Sequence, residues 1–132
     1  MTLPLVSVIF ITYNRAHTLV AAVETFLAMT DYPRDRLEII ISDDASDARN
    51  GAIIRALPHD KLVLARRNSG LGANCNRGLA AATGDYILQM QDDWITVGDP
   101  TYLQTAVSVL NGNDDIGLVT FRPRPDLDAP VP

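Results

Sequence analysis

Apolar runs rich in valine, isoleucine and leucine alternate along this chain with segments of helical periodicity, and this alternation limits the fold more than any single motif. The apolar runs cover residues 5–11, 37–42, 62–65, 86–90 and 117–121. The helical segments follow the first four runs and cover about residues 14–29, 47–57, 72–82 and 102–110. Because strands that alternate with helices are joined by right-handed crossovers, we predict an α/β fold with a mostly parallel sheet and flanking helices.

The size and charge of the chain exclude several classes of protein. Its 132 residues, 47% of them hydrophobic, suffice for one domain with one core. A formal net charge of -5 argues against a general surface for nucleic acid or anionic lipid. No apolar run approaches the roughly 18 residues that span a bilayer, and a single cysteine gives no sign of an oxidising compartment. We therefore expect a cytoplasmic protein that reaches the inner face of a membrane only through segments outside these residues.

Three polar clusters follow three of the predicted strands. They are Thr12-Tyr13-Asn14-Arg15, Asp43-Asp44-Ala45-Ser46 and Gln91-Asp92-Asp93-Trp94. Because the carboxyl ends of parallel strands share one edge of a sheet, we expect the clusters to meet there, where open α/β sheets bind ligands. An aromatic wall, carboxylate acceptors and a cation suit the parts of a nucleotide. Adjacent carboxylates at the end of a buried strand also favour a divalent metal that carries a phosphorylated ligand.

Each cluster also has a simpler structural explanation. Asp92 or Asp93 could cap the next helix while the other carboxylate stays in water. Asp44 could be a turn residue, with Ser46 bonded to the local backbone. Asn14 is expected to be the N-cap of the first helix.

Other motifs carry less information. Residues 68–72 (Asn-Ser-Gly-Leu-Gly) place flexible backbone N–H groups before a helix, a weak indication of an anion nest, and Gly84 is expected to end that helix. The Walker pattern, the Gly-x-Gly-x-x-Gly fingerprint after the first strand and a Gly-x-Ser-x-Gly nucleophile motif are all absent. A flavodoxin-like signalling receiver needs an acidic pair after its first strand and a late lysine. Here Thr12 and Tyr13 follow that strand, and Lys61 is the only lysine.

Taken in order, these motifs resemble the inverting family 2 glycosyltransferases of the GT-A fold. The resemblance starts with Val-Ser-Val-Ile-Phe-Ile-Thr-Tyr-Asn and continues with Ile-Ile-Ser-Asp-Asp-Ala-Ser, where the family usually has Asp-Asp-Gly-Ser. Asn68-x-Gly70 through Asn76-x-Gly78 and then Gly-Asp-Tyr-Ile-Leu before the acidic pair complete the series. The resemblance implies a Rossmann-like half-domain that binds a nucleoside-diphosphate sugar.

The resemblance also implies roles for individual residues. Tyr13 and Asp44 would contact the nucleobase, Asp92 the ribose or the metal, and Asp93 would coordinate Mg²⁺ or Mn²⁺. The nucleotide-sugar site as a whole would comprise Thr12, Tyr13, Asn14, Arg15, Asp43, Asp44, Asn68, Gly70 and Asp92. Two positions depart from the family pattern: Gln91 replaces the first acid of the Asp-x-Asp form, and Ala45 replaces the common glycine.

By the same resemblance, residues 1–121 would be the nucleotide-sugar-binding part of a GT-A domain. Residues 122–132, with four prolines, would be an extended tail or the start of the acceptor half. The general base would then lie outside this chain. We expect a transferase fragment that uses a UDP-sugar and an unknown acceptor. The alternative is a non-catalytic nucleotide-sugar-binding module. An uncovered apolar edge would also favour self-association.

Overall fold

The computed structural model describes residues 2–122, which form a four-stranded parallel sheet with helices on both faces. In chain order the elements are β1 (Val6–Thr12), α1 (Ala16–Met29), a 3₁₀ turn (Arg34–Arg36), β2 (Leu37–Asp43), α2 (Ala48–Ala56), β3 (Lys61–Leu64), α3 (Leu71–Ala81), β4 (Tyr86–Gln91) and α4 (Tyr102–Gly112). The predicted α/β class is confirmed, and the first four strands and all four helices start and end within about two residues of their predicted bounds.

The strand order β3-β2-β1-β4 puts β1 in the interior of the sheet. Every residue of β1 is buried, which explains its unbroken apolar sequence. Its last residue, Thr12, is in register with Asp43 of β2, and Ile11 is in register with Gln91 of β4. The three polar clusters therefore leave the sheet at the same edge.

The larger part of the core lies on the face of the sheet covered by α1, α2 and α4. Phe10 of β1 and Phe26 of α1 meet edge to face, with ring centroids 5.8 Å apart. The opposite face is thinner, because α3 packs its small residues on Ile9, Ile11 and Ile40. This close packing of a helix rich in small residues agrees with its sequence.

Gly84 serves close packing rather than ending a helix. The last residue of α3 is Ala81 and its C-cap is Ala82, so the predicted helix stop at Gly84 is wrong. A Cβ on Gly84 would lie 2.7 Å from the backbone nitrogen of Ser7, and the Gly84 N–H donates to the Ser7 hydroxyl. Glycine is needed here because the chain passes directly over β1.

Residues 117–121 do not form the predicted fifth strand. Val119 and Phe121 instead line a small cavity between α4 and β4, and the Phe121 ring meets Tyr102 edge to face at 5.2 Å. Leu118 points outward and is 78% exposed. Val119 is half-buried and Phe121 is 47% exposed, and among residues 2–122 no strand lies beside this segment to supply ladder hydrogen bonds. The predicted tail lies outside the described residues, apart from Arg122.

Within residues 2–122, no helix combines the length and apolar character that crossing a bilayer requires.

Candidate functional site

The turns after β1 and β2 hold each other through Asn14. Its backbone N–H donates to the Ser46 hydroxyl at 2.8 Å, and its side-chain oxygen accepts from the Asp47 N–H at 2.8 Å. Asn14 has a φ of 50°, in the left-handed region that asparagine tolerates. The predicted N-cap role of Asn14 is wrong, because Arg15 is the N-cap of α1 and Asn14 bonds to the neighbouring turn instead.

Asp43, rather than Asp44, makes the local turn after β2. Its buried carboxylate accepts from both the N–H and the hydroxyl of Ser46. Ala45, between them, has a φ of 69°, a conformation that glycine adopts without strain. The turn thus has the shape for which Asp-Asp-Gly-Ser would be suited, with alanine held in the glycine position.

Asp44 is buried and fully engaged with the chain that precedes α3. Its carboxylate accepts from the backbone N–H groups of Ser69 at 2.9 Å and Gly70 at 2.8 Å, and from the Arg77 guanidinium at 2.6 Å. Burial disfavours its ionised form, but these three donors outweigh burial and hold the pKa of Asp44 below its usual value. The predicted anion nest at residues 68–72 is therefore filled by a carboxylate of the same chain.

Asn74 and Arg77, which the sequence did not single out, support the site from α3. The Asn74 amide is buried, donates to the Thr12 carbonyl at 3.2 Å and accepts from the Ser42 hydroxyl at 2.6 Å. Arg77 pairs with Asp44, while its Nε atom is buried with no hydrogen-bond partner among the described residues. The one signal in the sequence was the presence of three polar residues, Asn74, Asn76 and Arg77, on a helix rich in small residues.

Asp92 and Asp93 occupy different environments at the end of β4. Asp92 is buried and accepts from the Thr12 hydroxyl at 3.1 Å. Asp93 is 48% exposed at its side chain. Arg15 reaches both carboxylates, at 3.5 Å from Asp92 and 3.3 Å from Asp93. Neither acid caps a helix, because the next helix, α4, begins at Tyr102, nine residues after Asp93.

Thr12 joins the three predicted clusters. Its hydroxyl contacts Asp92, while its carbonyl accepts from the Asp44 N–H at 3.1 Å and from the Asn74 amide. Tyr13, next in the chain, is 39% exposed. The predicted residues Thr12, Tyr13, Asn14, Arg15, Asp43, Asp44 and Asp92 thus lie along one edge, with Asp93 beside them. Asn68 is exposed on the loop that Asp44 holds at Gly70, and no hydrogen bond among residues 2–122 joins it to the acidic pair.

A groove of about 380 Å³ lies beside this edge, between the N-termini of α1 and α2. Its lining includes Asn14, His17 and Arg49 but neither carboxylate of the acidic pair. The groove therefore borders the cluster without containing the residues that could hold a metal.

The donor set suits a metal that is shared with a phosphorylated ligand. Among residues 2–122, no group of three or more histidine, cysteine or acidic side chains is placed to hold an ion by itself. Asp92 and Asp93 supply two adjacent carboxylates, and Mg²⁺ is usually bound through one or two carboxylates together with substrate phosphates. The residues present therefore fit a metal that arrives with a diphosphate, rather than a closed protein cage.

This chain is similar to several known glycosyltransferases. The model of glycosyl transferase family 2 matches residues 7–129. An uncharacterized glycosyltransferase of Nostoc sp. is 34% identical over 118 residues, which is 86% of this chain and 35% of the relative. The Escherichia coli enzyme WfaP, a UDP-Glc:alpha-D-GlcNAc-diphosphoundecaprenol beta-1,3-glucosyltransferase, is 36% identical over 98 residues, 70% of this chain and 37% of the relative.

Among solved structures, the mannosyltransferase PcManGT from Pyrobaculum calidifontis, in complex with GDP-Man and Mn²⁺, superposes with a TM-score of 0.71. The two chains are 28% identical, and the match covers 83% of this chain and 33% of the other. The chain thus spans about a third of the length of these relatives. The match of the family model over residues 7–129 shows that this chain belongs to glycosyltransferase family 2.

Proposed function

We propose that this chain forms the donor-binding part of a glycosyltransferase that uses a nucleoside-diphosphate sugar and a divalent metal. The observation that carries the proposal is the meeting of three polar clusters around Thr12, whose hydroxyl and carbonyl contact Asp92, Asp44 and Asn74. Side chains for a base, a ribose and a metal-bound diphosphate are thereby assembled at the edge where α/β sheets bind nucleotides.

The exposure of each side chain suggests how it would meet the donor. Tyr13 is accessible and offers an aromatic wall for the nucleobase. Arg15 is half exposed and suits the diphosphate. Asp44 is buried and bonded to Ser69 and Gly70, so it would act on the base chiefly by holding that loop. A direct contact between Asp44 and the base would require one of those bonds to be exchanged.

Asp93, assisted by Asp92, would hold Mg²⁺ or Mn²⁺ against the diphosphate. Once bound, the metal would supply Lewis-acid stabilisation of the charge that develops on the departing nucleoside diphosphate. Arg15 would add a second cation near the same charge, and Thr12 would keep the Asp92 carboxylate in place. The Mn²⁺ ion in the related mannosyltransferase complex supports this assignment.

We favour a UDP-sugar as donor and transfer with inversion to an acceptor that the described residues do not identify. The UDP-Glc in the name of the E. coli relative supports uridine, whereas GDP-Man in the mannosyltransferase complex makes guanosine the competing base. The acceptor side and the general base would be supplied by chain beyond residue 121. We also propose that the reaction takes place on the cytoplasmic side of a membrane, that the protein binds no nucleic acid and that it self-associates.

Metal-dependent nucleotide binding tests the proposal. Calorimetric titrations with UDP and GDP should be made with and without Mn²⁺. We expect Mn²⁺ to strengthen the binding of both nucleotides, and UDP to bind more tightly than GDP. Asp93→Asn should remove most of that metal dependence, because the half-exposed carboxylate is the accessible one of the pair. Asp115→Asn is a matched control, since Asp115 is exposed in the turn after α4.

Equal metal dependence in Asp93→Asn and the parent protein would refute the metal role. Stronger binding of GDP than of UDP would replace the base but keep the site. Donor binding without any sugar transfer by the longest natural form of the protein would favour the nucleotide-sugar-binding module over the enzyme.

A further inference from the structure

Arg15 lies across the acidic pair and contacts both carboxylates. One guanidinium nitrogen is 3.5 Å from Asp92 Oδ1, and the other is 3.3 Å from Asp93 Oδ2. A divalent ion held by the same two carboxylates would be repelled by a guanidinium at this position. Arg15 and a metal therefore compete for the same negative charge.

The backbone of Arg15 is anchored, but its side chain can swing. Its carbonyl accepts from the N–H groups of Thr18 and Leu19 at 3.1 Å each, and Asn14 before it is tied to the turn after β2. The side chain is 49% exposed, and its contact with Asp93 is an ion pair at the surface. Exposed pairs of this kind are weak, so a diphosphate with several anionic oxygens could draw the guanidinium away.

We propose that Arg15 is an exchangeable counter-cation of the acidic pair, which leaves the carboxylates to the metal when the diphosphate of the donor arrives. This inference rests on the proposed function. Before the donor binds, Arg15 neutralises Asp92 and Asp93 and weakens the binding of free metal ions. When the donor binds, the guanidinium turns to the phosphates and the carboxylates become available.

The exchange makes the binding of metal and nucleotide interdependent. Because coupling between two ligands is reciprocal, the factor by which UDP strengthens Mn²⁺ binding equals the factor by which Mn²⁺ strengthens UDP binding. Part of that factor would come from moving Arg15, since the nucleotide removes the cation that competes with the metal. Without Arg15, this part of the coupling should disappear.

Titration of the parent protein and three variants tests the proposal, with Mn²⁺ alone, UDP alone and both together. Arg15→Gln should bind Mn²⁺ alone about three- to tenfold more tightly, which is the effect expected from losing weak competing ion pairs. It should also bind UDP alone more weakly and show a smaller coupling factor. Arg15→Lys keeps the charge and should restore most of the parent behaviour. If the guanidinium had a purely structural role, lysine would not restore it.

Arg34→Gln is the matched control. Arg34 is 47% exposed and pairs with Asp60 at 3.0 Å, next to the start of β2 and thus at the opposite edge of the sheet. Arg34→Gln removes the same charge from the protein, but Arg34 pairs with Asp60 and not with the acidic pair. The variant should therefore leave Mn²⁺ affinity and coupling unchanged. Circular dichroism of each variant verifies that the fold is intact.

Unchanged or weaker binding of Mn²⁺ alone by folded Arg15→Gln would overturn the proposal, as would no Mn²⁺ binding by either protein. Equal tightening in Arg34→Gln would also overturn it, because the effect would then come from net charge. Failure of the proposed function looks different. In that case Arg15→Gln would still gain Mn²⁺ affinity, while no protein would bind UDP or GDP with metal.

Discussion

The carboxylates at the predicted site differ in burial. The buried ones shape the protein around the site, and the exposed one is accessible to a ligand. Asp43 and Asp44 are buried and accept hydrogen bonds that shape the turn after β2 and the loop before α3. Asp92 is buried against Thr12. Asp93 alone of these four is substantially exposed. A ligand that approaches from solvent can therefore reach Asp93 without breaking an internal bond other than the weak one to Arg15.

A fifth carboxylate, Glu38, lies near the amino end of β2, at the opposite end of the strands from the candidate site, and links several elements. It accepts from the Ser7 hydroxyl, from the hydroxyl and N–H of Thr83, and lies 3.2 Å from the Lys61 ammonium. Burial by itself would raise its pKa, but these hydrogen bonds outweigh burial and lower the pKa of Glu38 from 4.5 to about 2. The depressed pKa links the stability of the protein to pH.

We predict that Glu38→Gln lowers the free energy of unfolding at neutral pH by about 2 kcal/mol, because the amide accepts fewer hydrogen bonds and loses the pair with Lys61. A carboxylate whose pKa is lower in the folded state stabilises the fold above its unfolded pKa and loses that effect as pH falls. Urea denaturation from about pH 6 to about pH 2 should therefore show a shallower acid loss in the variant. Glu24→Gln, exposed on α1, is the control. Parallel curves for parent and Glu38→Gln would contradict the prediction.

At the scale of elements, the position of α3 on the sheet decides how the site is supported. Asn74 and Gly78 are buried one turn apart on the same face of the helix. A Cβ on Gly78 would lie 2.6 Å from Ile9 Cγ2. The absence of a side chain at Gly78 lets the helix approach β1 closely, and this approach brings Asn74 within reach of the Thr12 carbonyl.

We predict that Gly78→Ala destabilises the protein by about 1–3 kcal/mol, since the added methyl group forces α3 away from the sheet. It should also weaken UDP binding, because Asn74 and Arg77 move with the helix. Gly72→Ala, in the same helix with open space around the Cβ, should leave stability unchanged or slightly raised. Thermal unfolding and UDP titration of both variants measure these effects. Equal stability of the two variants would contradict the prediction, because it would mean that Ile9 moves aside for the added methyl group at little cost.

In the whole molecule, β4 is the last strand on one side of the sheet, and exposed apolar side chains lie on it and in the chain after α4. Within residues 2–122 it pairs only with β1, so its other side offers unpaired backbone groups. Ile87 on β4 is 49% exposed, and Phe121 and Leu118 nearby in the chain after α4 are 47% and 78% exposed. Exposed strand edges with apolar side chains favour association with another chain.

We predict that the 132-residue chain self-associates in a concentration-dependent way. Ile87→Lys should reduce the association, because a charge on an edge strand opposes pairing between edges. Ile53→Lys, at a 37% exposed position on α2, adds the same charge away from this edge and should have little effect. Sedimentation velocity over a range of concentrations measures both. A monomer at every concentration would contradict the prediction.

The helices, the strands and the edge at which the polar clusters meet follow from the amino-acid pattern alone. Hydrophobic periodicity is a local property of the chain, so β1 to β4 and α1 to α4 could be predicted to within about two residues. Parallel topology then requires Thr12, Asp43 and Asp92 to share an edge. Among residues 2–122, local periodicity misled at residues 117–121, where Val119 and Phe121 pack beside α4 and β4 without forming a strand.

The hydrogen-bond partner of each polar group depends on how the elements pack together. Asn14 bonds across to Ser46 and Asp47 instead of capping α1, and Gly84 is required by the approach of Ser7, 77 residues away in the chain. Asp44 takes its donors from the loop before α3 and from Arg77. Most buried polar groups find a hydrogen-bond partner where the fold brings one close. That proximity depends on how α3 and the loops pack, which no local pattern in the sequence records.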